Sequence, residues 1–187
     1  MVKKKACVFI SGKGTNLNSL IHNSRDTNFP IKIDLVLSNK KDALGINFAK
    51  KFSIPFKIFD VDIKEFEKKA IKELKDRKIS IICLAGFMKI LSKSFLRMFR
   101  GKVINIHPSL LPKYKGLHTF KRAIKNKDFF CGCTIHYVDE KMDNGRIILK
   151  KRVNIDEDDE VKTLQKKVQS LEYKAYSMAI RKIYIKN

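Results

Sequence analysis

Ile79-Ser80-Ile81-Ile82-Cys83-Leu84-Ala85 is an apolar run broken only by one small hydroxyl. A strand that reads this way, without alternation, is covered on both faces, and such strands sit in the middle of parallel sheets. Outward from it, strand-like and helix-like periods alternate, as they do in a βαβ protein. Before it, residues 5–10, 31–37 and 56–59 read as strands. Residues 16–24 read as a helix with Leu17, Leu20 and Ile21 on one face. Residues 43–52 read as a helix with Leu44, Phe48 and Phe52 inward, and 63–77 as one with Phe66, Ala70, Ile71 and Leu74 inward. After it, 102–106 is the next strand, 108–117 a loop and 118–125 a short helix. Strands at 132–138 and 146–153 follow, then a helix from Val161 to about Ile183. Its amino end follows the acids Asp156 to Glu160, where the macrodipole favours negative charge. The expected fold is α/β: a single doubly wound Rossmann-like domain, mostly parallel sheet with late antiparallel strands. It spans 1–187 in two halves, 1–100 and 101–187.

The chain has 187 residues, 44% of them hydrophobic, enough for one core. No apolar run approaches the roughly 20 residues of a membrane span. Met1-Val2-Lys3-Lys4-Lys5 leads only into the short stretch Ala6 to Ile10, a buried strand rather than a signal peptide. A cytoplasmic location is expected. Cys7 and Cys83 lie in apolar strands, where thiols behave as small hydrophobes. Cys131 and Cys133 are one residue apart, with no second pair to complete a zinc site. No metal is expected. The charge is unusual: 41 basic against 19 acidic residues, a net +22. Of the basic residues 33 are Lys and 8 Arg, spread along the whole chain. A nucleic-acid reader would use Arg more heavily. A solvated lysine surface that steers small anions fits better, and neither a nucleic-acid nor a membrane partner is expected.

The strand at 102–106 leads into Asn105-Ile106-His107-Pro108-Ser109-Leu110-Leu111-Pro112. Two residues apart on an extended backbone, Asn105 and His107 project from one face. Pro108 then forces the chain out of the sheet. Chemistry in α/β proteins is mounted at such carboxyl ends of strands. An amide can hold an oxyanion and an imidazole can move a proton near neutral pH, a pairing suited to acyl-type transfer. The plain alternative is a capping amide and a core histidine. Asp143 stands at a turn between the two late strands, where a carboxylate facing His107 would favour its protonated form. On spacing alone Asp143 is equally read as a turn residue. Ser11-Gly12-Lys13-Gly14-Thr15-Asn16 joins the first strand to the first helix, a geometry that presents backbone N–H groups to an anion. Leu17 stands where a dinucleotide fingerprint wants a third glycine, so a single phosphate monoester or a structural turn are the readings left.

Asn105 through Tyr114, followed by Gly116-Leu117-His118-Thr119, resembles the phosphoribosylglycinamide formyltransferases. Supporting stretches are Ser11 to Leu17, Ala85 to Leu91, and Asp143 with Gly145, in order across nearly the whole chain. The resemblance implies transfer of a formyl group from 10-formyltetrahydrofolate to the amine of glycinamide ribonucleotide, in de novo purine synthesis. It implies direct amine attack aided by Asn105, His107 and Asp143, with no metal. It places the ribonucleotide on Gly14, Thr15, Asn16, Gln169 and Glu172. It places the folate on Lys64, Met88, Lys89, Ile90, Leu91, Asn105, Val138, Asp139, Glu140 and Met142. The implied partners are these two small molecules, the protein being a monomer or homodimer. The chain departs from the family pattern at Lys89 (usually Arg), Lys115 (commonly Pro), Phe120 (commonly His) and Asn144 (commonly Gly). Asn tolerates left-handed backbone, so the Asp143 turn is expected to survive. Methionyl-tRNA formyltransferases and folate deformylases use a similar trio, but carry a further domain for which this chain has no room. A basic RNA- or phosphate-binding module on the same scaffold is the non-enzymatic rival.

Overall fold

The computed structural model describes residues 2–185. It comprises two compact units, one ending at Ile104 and the other beginning at Asn105. The first contains β1 (Lys4–Ile10), α1 (Thr15–Arg25), β2 (Ile31–Ser38), α2 (Ile46–Lys51), β3 (Phe56–Ile58), α3 (Ile63–Asp76), β4 (Ile81–Leu84) and α4 (Lys93–Met98). β1 pairs in parallel with both β2 and β4, and β2 in parallel with β3. β5 (Lys102–His107) carries the chain from one unit into the other. The second unit continues with α5 (Thr119–Lys125), β6 (Phe130–Tyr137), β7 (Ile147–Asn154) and α6 (Val161–Tyr184). β6 and β7 are antiparallel. The strand order is β3-β2-β1-β4-β5-β6-β7, so the run at 79–85 does supply the middle strand. The order reverses between β1 and β4, where open α/β sheets bind their ligands.

Burial follows the apolar runs. Ala6 through Ile10 and Ile81 through Cys83 are wholly buried. Phe9 sits among three rings, with centroids 5.5 Å to Phe66, 5.4 Å to Phe87 and 6.2 Å to Phe95. Edge-to-face pairs of this kind add about 0.5–1.5 kcal/mol each beyond the area they bury. The Asp62 carboxylate caps α3 by accepting from the N–H groups of Lys64 and Glu65.

Two local expectations fail. α2 begins only at Ile46 and buries Ile46 and Ala49; in the turn before it Ala43 is buried while Leu44 is 61% exposed. The cause is Gly45, whose N–H donates to the Gly12 carbonyl at 2.9 Å. That bond makes 41–45 a turn and rotates the following helix away from the Leu44 phase. α4 was not anticipated, because a six-residue helix with one buried side chain, Phe95, has no period to read. The Ser92 hydroxyl, accepting from the Phe95 N–H at 3.1 Å, starts it.

In the second unit, the acids before α6 are partly spoken for. Lys167 Nζ bridges Asp156 and Asp159 at 2.6 Å each, which pulls the Asp159 carboxyl below its usual value. Cys131 and Cys133 are buried as free thiols, burial raising both, Cys133 to about 12. Thiols raised in this way are poor nucleophiles near neutral pH. Among the described residues, no helix is long and apolar enough to cross a membrane.

Candidate active site

Both side chains at the end of β5 face the second unit's own interior. Asn105 is half-buried and His107 is 5% exposed. Asp143 Oδ2 lies 3.3 Å from His107 Nδ1, and both side chains are nearly removed from water. The trio read from the sequence therefore converges. His107 Nε2 is 2.9 Å from the Tyr114 carbonyl. Both ring nitrogens thus face acceptors, an arrangement met in full only when each carries a hydrogen.

Asp143 is held by its turn. Its own φ is 48°, so the left-handed residue is the aspartate and not the neighbouring Asn144, contrary to expectation. Asp tolerates that conformation because its short polar side chain can bond locally. Here Oδ2 also accepts the Gly116 N–H at 2.9 Å. Gly145 closes the turn so tightly that a Cβ there would lie 1.8 Å from the Tyr137 carbonyl oxygen. Only glycine fits.

His136 completes the cluster and was missed in the sequence. Its Nδ1 is 2.8 Å from the Tyr137 carbonyl, which can only accept, so Nδ1 carries the hydrogen. Nε2 then accepts from the Asn105 amide nitrogen at 3.3 Å. Asp143 Oδ1 is 3.7 Å from the same nitrogen. His136 therefore fixes which end of the Asn105 amide donates, and this bond uses only one of its two N–H groups. A register shift between Ile135 and His136 marks the spot, since such irregularities re-aim side chains beside active sites. The available signal was weak: His136 shares a strand face with Thr134, and nothing in the spacing ties it to Asn105.

Burial pushes His136 below the ordinary histidine range, against the weaker upward pull of the Tyr137 carbonyl and Asp143. The unfolded chain then takes up this proton first as pH falls, so stability present at neutral pH is lost on acidification. His136→Gln is expected to flatten the fall in urea midpoint between about pH 7 and about pH 5. Equal slopes in both proteins would place the acid sensitivity elsewhere.

The remaining expected positions divide between the units. In the first, Gly14 (φ 73°) begins α1, with Thr15 and Asn16 in its first turn and no side-chain cap. A Cβ on Gly14 would lie 2.4 Å from Gly45 Cα, so two glycines shape this loop. Ser11 ties it to the segment after β4: its hydroxyl donates to Asn39 Oδ1 at 2.6 Å and accepts the Met88 N–H at 2.8 Å. In that segment Met88, Lys89 and Ile90 are exposed, while Leu91 is buried. Lys64 is exposed on the first turn of α3. In the second unit, Val138, Asp139, Glu140 and Met142 form the turn that leads to Asp143; Met142 is 52% exposed. Gln169 is half-buried and Glu172 buried on α6.

A parallel-sheet scaffold ending in an Asn/His/Asp cluster defines a class, and comparison with known proteins agrees with it. The family model described as formyl transferase matches residues 4–180, and the chain belongs to that family. Within it, the chain is 40% identical over 182 residues to the phosphoribosylglycinamide formyltransferase of Haemophilus influenzae, covering 95% of this chain and 86% of that one. The Bacillus subtilis protein of the same name is 35% identical over 184 residues, covering 96% and 94%. A trifunctional purine biosynthetic protein adenosine-3 of Drosophila pseudoobscura pseudoobscura is 42% identical over 186 residues, and this chain spans only 14% of its length. The solved phosphoribosylglycinamide formyltransferase of Brucella melitensis superposes with a TM-score of 0.93 at 36% identity, covering 100% of this chain and 98% of that one. The resemblance read from residues 105–119 is borne out, and so is the mostly parallel Rossmann-like fold.

Proposed function

We propose that this protein transfers a formyl group from 10-formyltetrahydrofolate to the amine of glycinamide ribonucleotide. The 3.3 Å approach of Asp143 to His107, on the face that carries Asn105, is the observation that carries this reading. As the amine attacks the formyl carbon, negative charge develops on the formyl oxygen. The outward N–H of Asn105 stabilises that charge by donation, and protonated His107 by its positive charge; losing an oxyanion donor raises the barrier by about 3 kcal/mol. His107 gives a ring proton to the departing folate nitrogen and regains one from the amine, in relay through water, and Asp143 keeps the ring charged and oriented. No covalent enzyme intermediate is required, because the folate nitrogen already leaves readily.

The α1 amino end at Gly14, Thr15 and Asn16 takes the phosphate, the positive end of the helix dipole meeting the dianion. Gln169 and Glu172 hold the ribosyl-glycinamide. In the first unit the exposed apolar pair Met88 and Ile90, with Lys89 and Leu91, suits part of the folate and Lys64 its glutamate; in the second, the Val138–Met142 turn suits the pterin. Both substrates are polyanions, so the net +22 speeds their capture. Gly45→Ala is expected to raise the ribonucleotide KM about tenfold with kcat nearly unchanged, since the added methyl pushes on Gly14 and overpacking costs about 1–3 kcal/mol.

Absorbance monitoring of folate release, with and without glycinamide ribonucleotide, tests the whole reading. Release only with the acceptor supports formyl transfer. Release with water alone makes the protein a deformylase. No release, together with tight and steeply salt-dependent RNA binding, favours the binding-module alternative.

A further inference from the structure

The segment from Tyr114 to Gly116 lies across the catalytic pair and touches it twice. Its Tyr114 carbonyl meets His107 Nε2, and its Gly116 N–H meets Asp143 Oδ2, each at 2.9 Å. Its backbone is unfavourable at Tyr114, where φ is 56°, and again two residues beyond it at His118, where φ is 59°; Gly116 takes its 77° without cost. Side-chain-bearing residues persist in that region only where their surroundings over-determine them.

The restraint comes from outside the cluster. Arg122, on α5, donates from Nη1 to the Lys115 carbonyl at 2.8 Å. The same guanidinium lies 4.9 Å from the centroid of the Tyr114 ring. The Tyr114 hydroxyl is itself pinned, donating to Asp128 at 2.8 Å and accepting from Asn126 at 2.9 Å. On the far side Lys115 Nζ donates to Asn144 Oδ1 at 2.6 Å, tying the segment to the Asp143 turn. Lys115 and Asn144 are two of the positions where this chain departs from its family's usual residues. The Lys115–Asn144 and Arg122–Lys115 bonds are both exposed, so neither is strong alone. Arg122 is the stronger anchor, because one planar group both stacks on the ring and bonds the next carbonyl.

We propose that Arg122 is a positioning residue for the reaction: it holds residues 114–116 so that the Tyr114 carbonyl and Gly116 N–H orient His107 and Asp143. The proposal rests on the catalytic role given to His107 above. Without the clamp, the left-handed segment relaxes and the imidazole loses one of its two acceptors. Misplacement of a reacting group by about 1 Å lowers rate about a hundredfold, and partial loosening less. Lysine keeps the charge but cannot stack and bond at once, so Arg122→Lys behaves like Arg122→Gln.

Two measurements on the full chain test this. In steady-state kinetics, Arg122→Gln is expected to lower kcat about tenfold, with both KM values within about twofold and the melting temperature nearly unchanged. In a His107→Asn background the same change is expected to have less than about a twofold effect, because its route runs through the imidazole. An equal fold-change in both backgrounds, or none in the parent, overturns the proposal. Independently of activity, nitrogen NMR of the His107 ring is expected to show Nε2 shifted in Arg122→Gln and Arg122→Lys; an unmoved resonance overturns it too. A parent chain that transfers no formyl group sinks the proposed function, while the ring spectrum still decides on the clamp.

Discussion

His107→Asn lowers turnover by about two to four orders of magnitude and leaves both substrate affinities within about twofold. The affinities hold because the elements assigned to the phosphate, Gly14 to Asn16, and to much of the folate, Met88 to Leu91, belong to the first unit. An Asn at 107 still offers an N–H, but it is shorter than imidazole and carries no charge. It neither neutralises the developing oxyanion nor hands on the amine proton. Stability falls as well, since both ring contacts, to the Tyr114 carbonyl and to Asp143, are lost, at about 1 kcal/mol for each hydrogen bond. Steady-state kinetics with each substrate varied, beside isothermal titration of the ribonucleotide, gives the result. Turnover within about threefold of the parent would remove proton transfer at 107 from the mechanism.

The fold was legible because its strands announce themselves. Buried runs such as Ala6 to Ile10 and Ile81 to Leu84 are short and unbroken, and glycines and Pro108 punctuate them. What was not legible depends on contacts remote in sequence. The phase of α2 is set by a bond from Gly45 to Gly12, 33 residues away. The site divides along the same line. Asn105 and His107 share a strand, so period 2 alone aligns them. Asp143 could only be nominated, and the resemblance raised it above a turn residue. His136 acts through a ring nitrogen whose partner is 31 residues distant, and Arg122 through a carbonyl and a ring in a loop. Neither contact has a spacing rule. A positive φ at Asp143 rather than Asn144 likewise follows from the Gly116 N–H that the carboxylate accepts.

Asp143→Asn is the sharper test of the cluster, because it removes charge and little else. The residue sits at φ 48°, a conformation Asn adopts as readily as Asp, so no backbone strain is added. The amide oxygen can still accept the Gly116 N–H that holds residues 114–116 in place. What disappears is the negative charge 3.3 Å from His107 Nδ1, in a setting where the two side chains are only 7% and 10% exposed. With so little water to screen it, that charge matters far more than one at the surface. Without it nothing compensates an imidazolium beside Asn105, and a neutral ring keeps its one hydrogen on Nε2, against the Tyr114 carbonyl. Turnover is expected to fall on the order of a thousandfold at neutral pH, with KM values and melting temperature close to the parent. Asp143→Ala should match it in turnover but also melt earlier, since alanine resists φ 48° and leaves the Gly116 N–H without its acceptor. Should Asp143→Asn retain most of its turnover while Asp143→Ala unfolds easily, Asp143 would be a turn residue after all, and the proton chemistry would rest on His107 without a carboxylate partner.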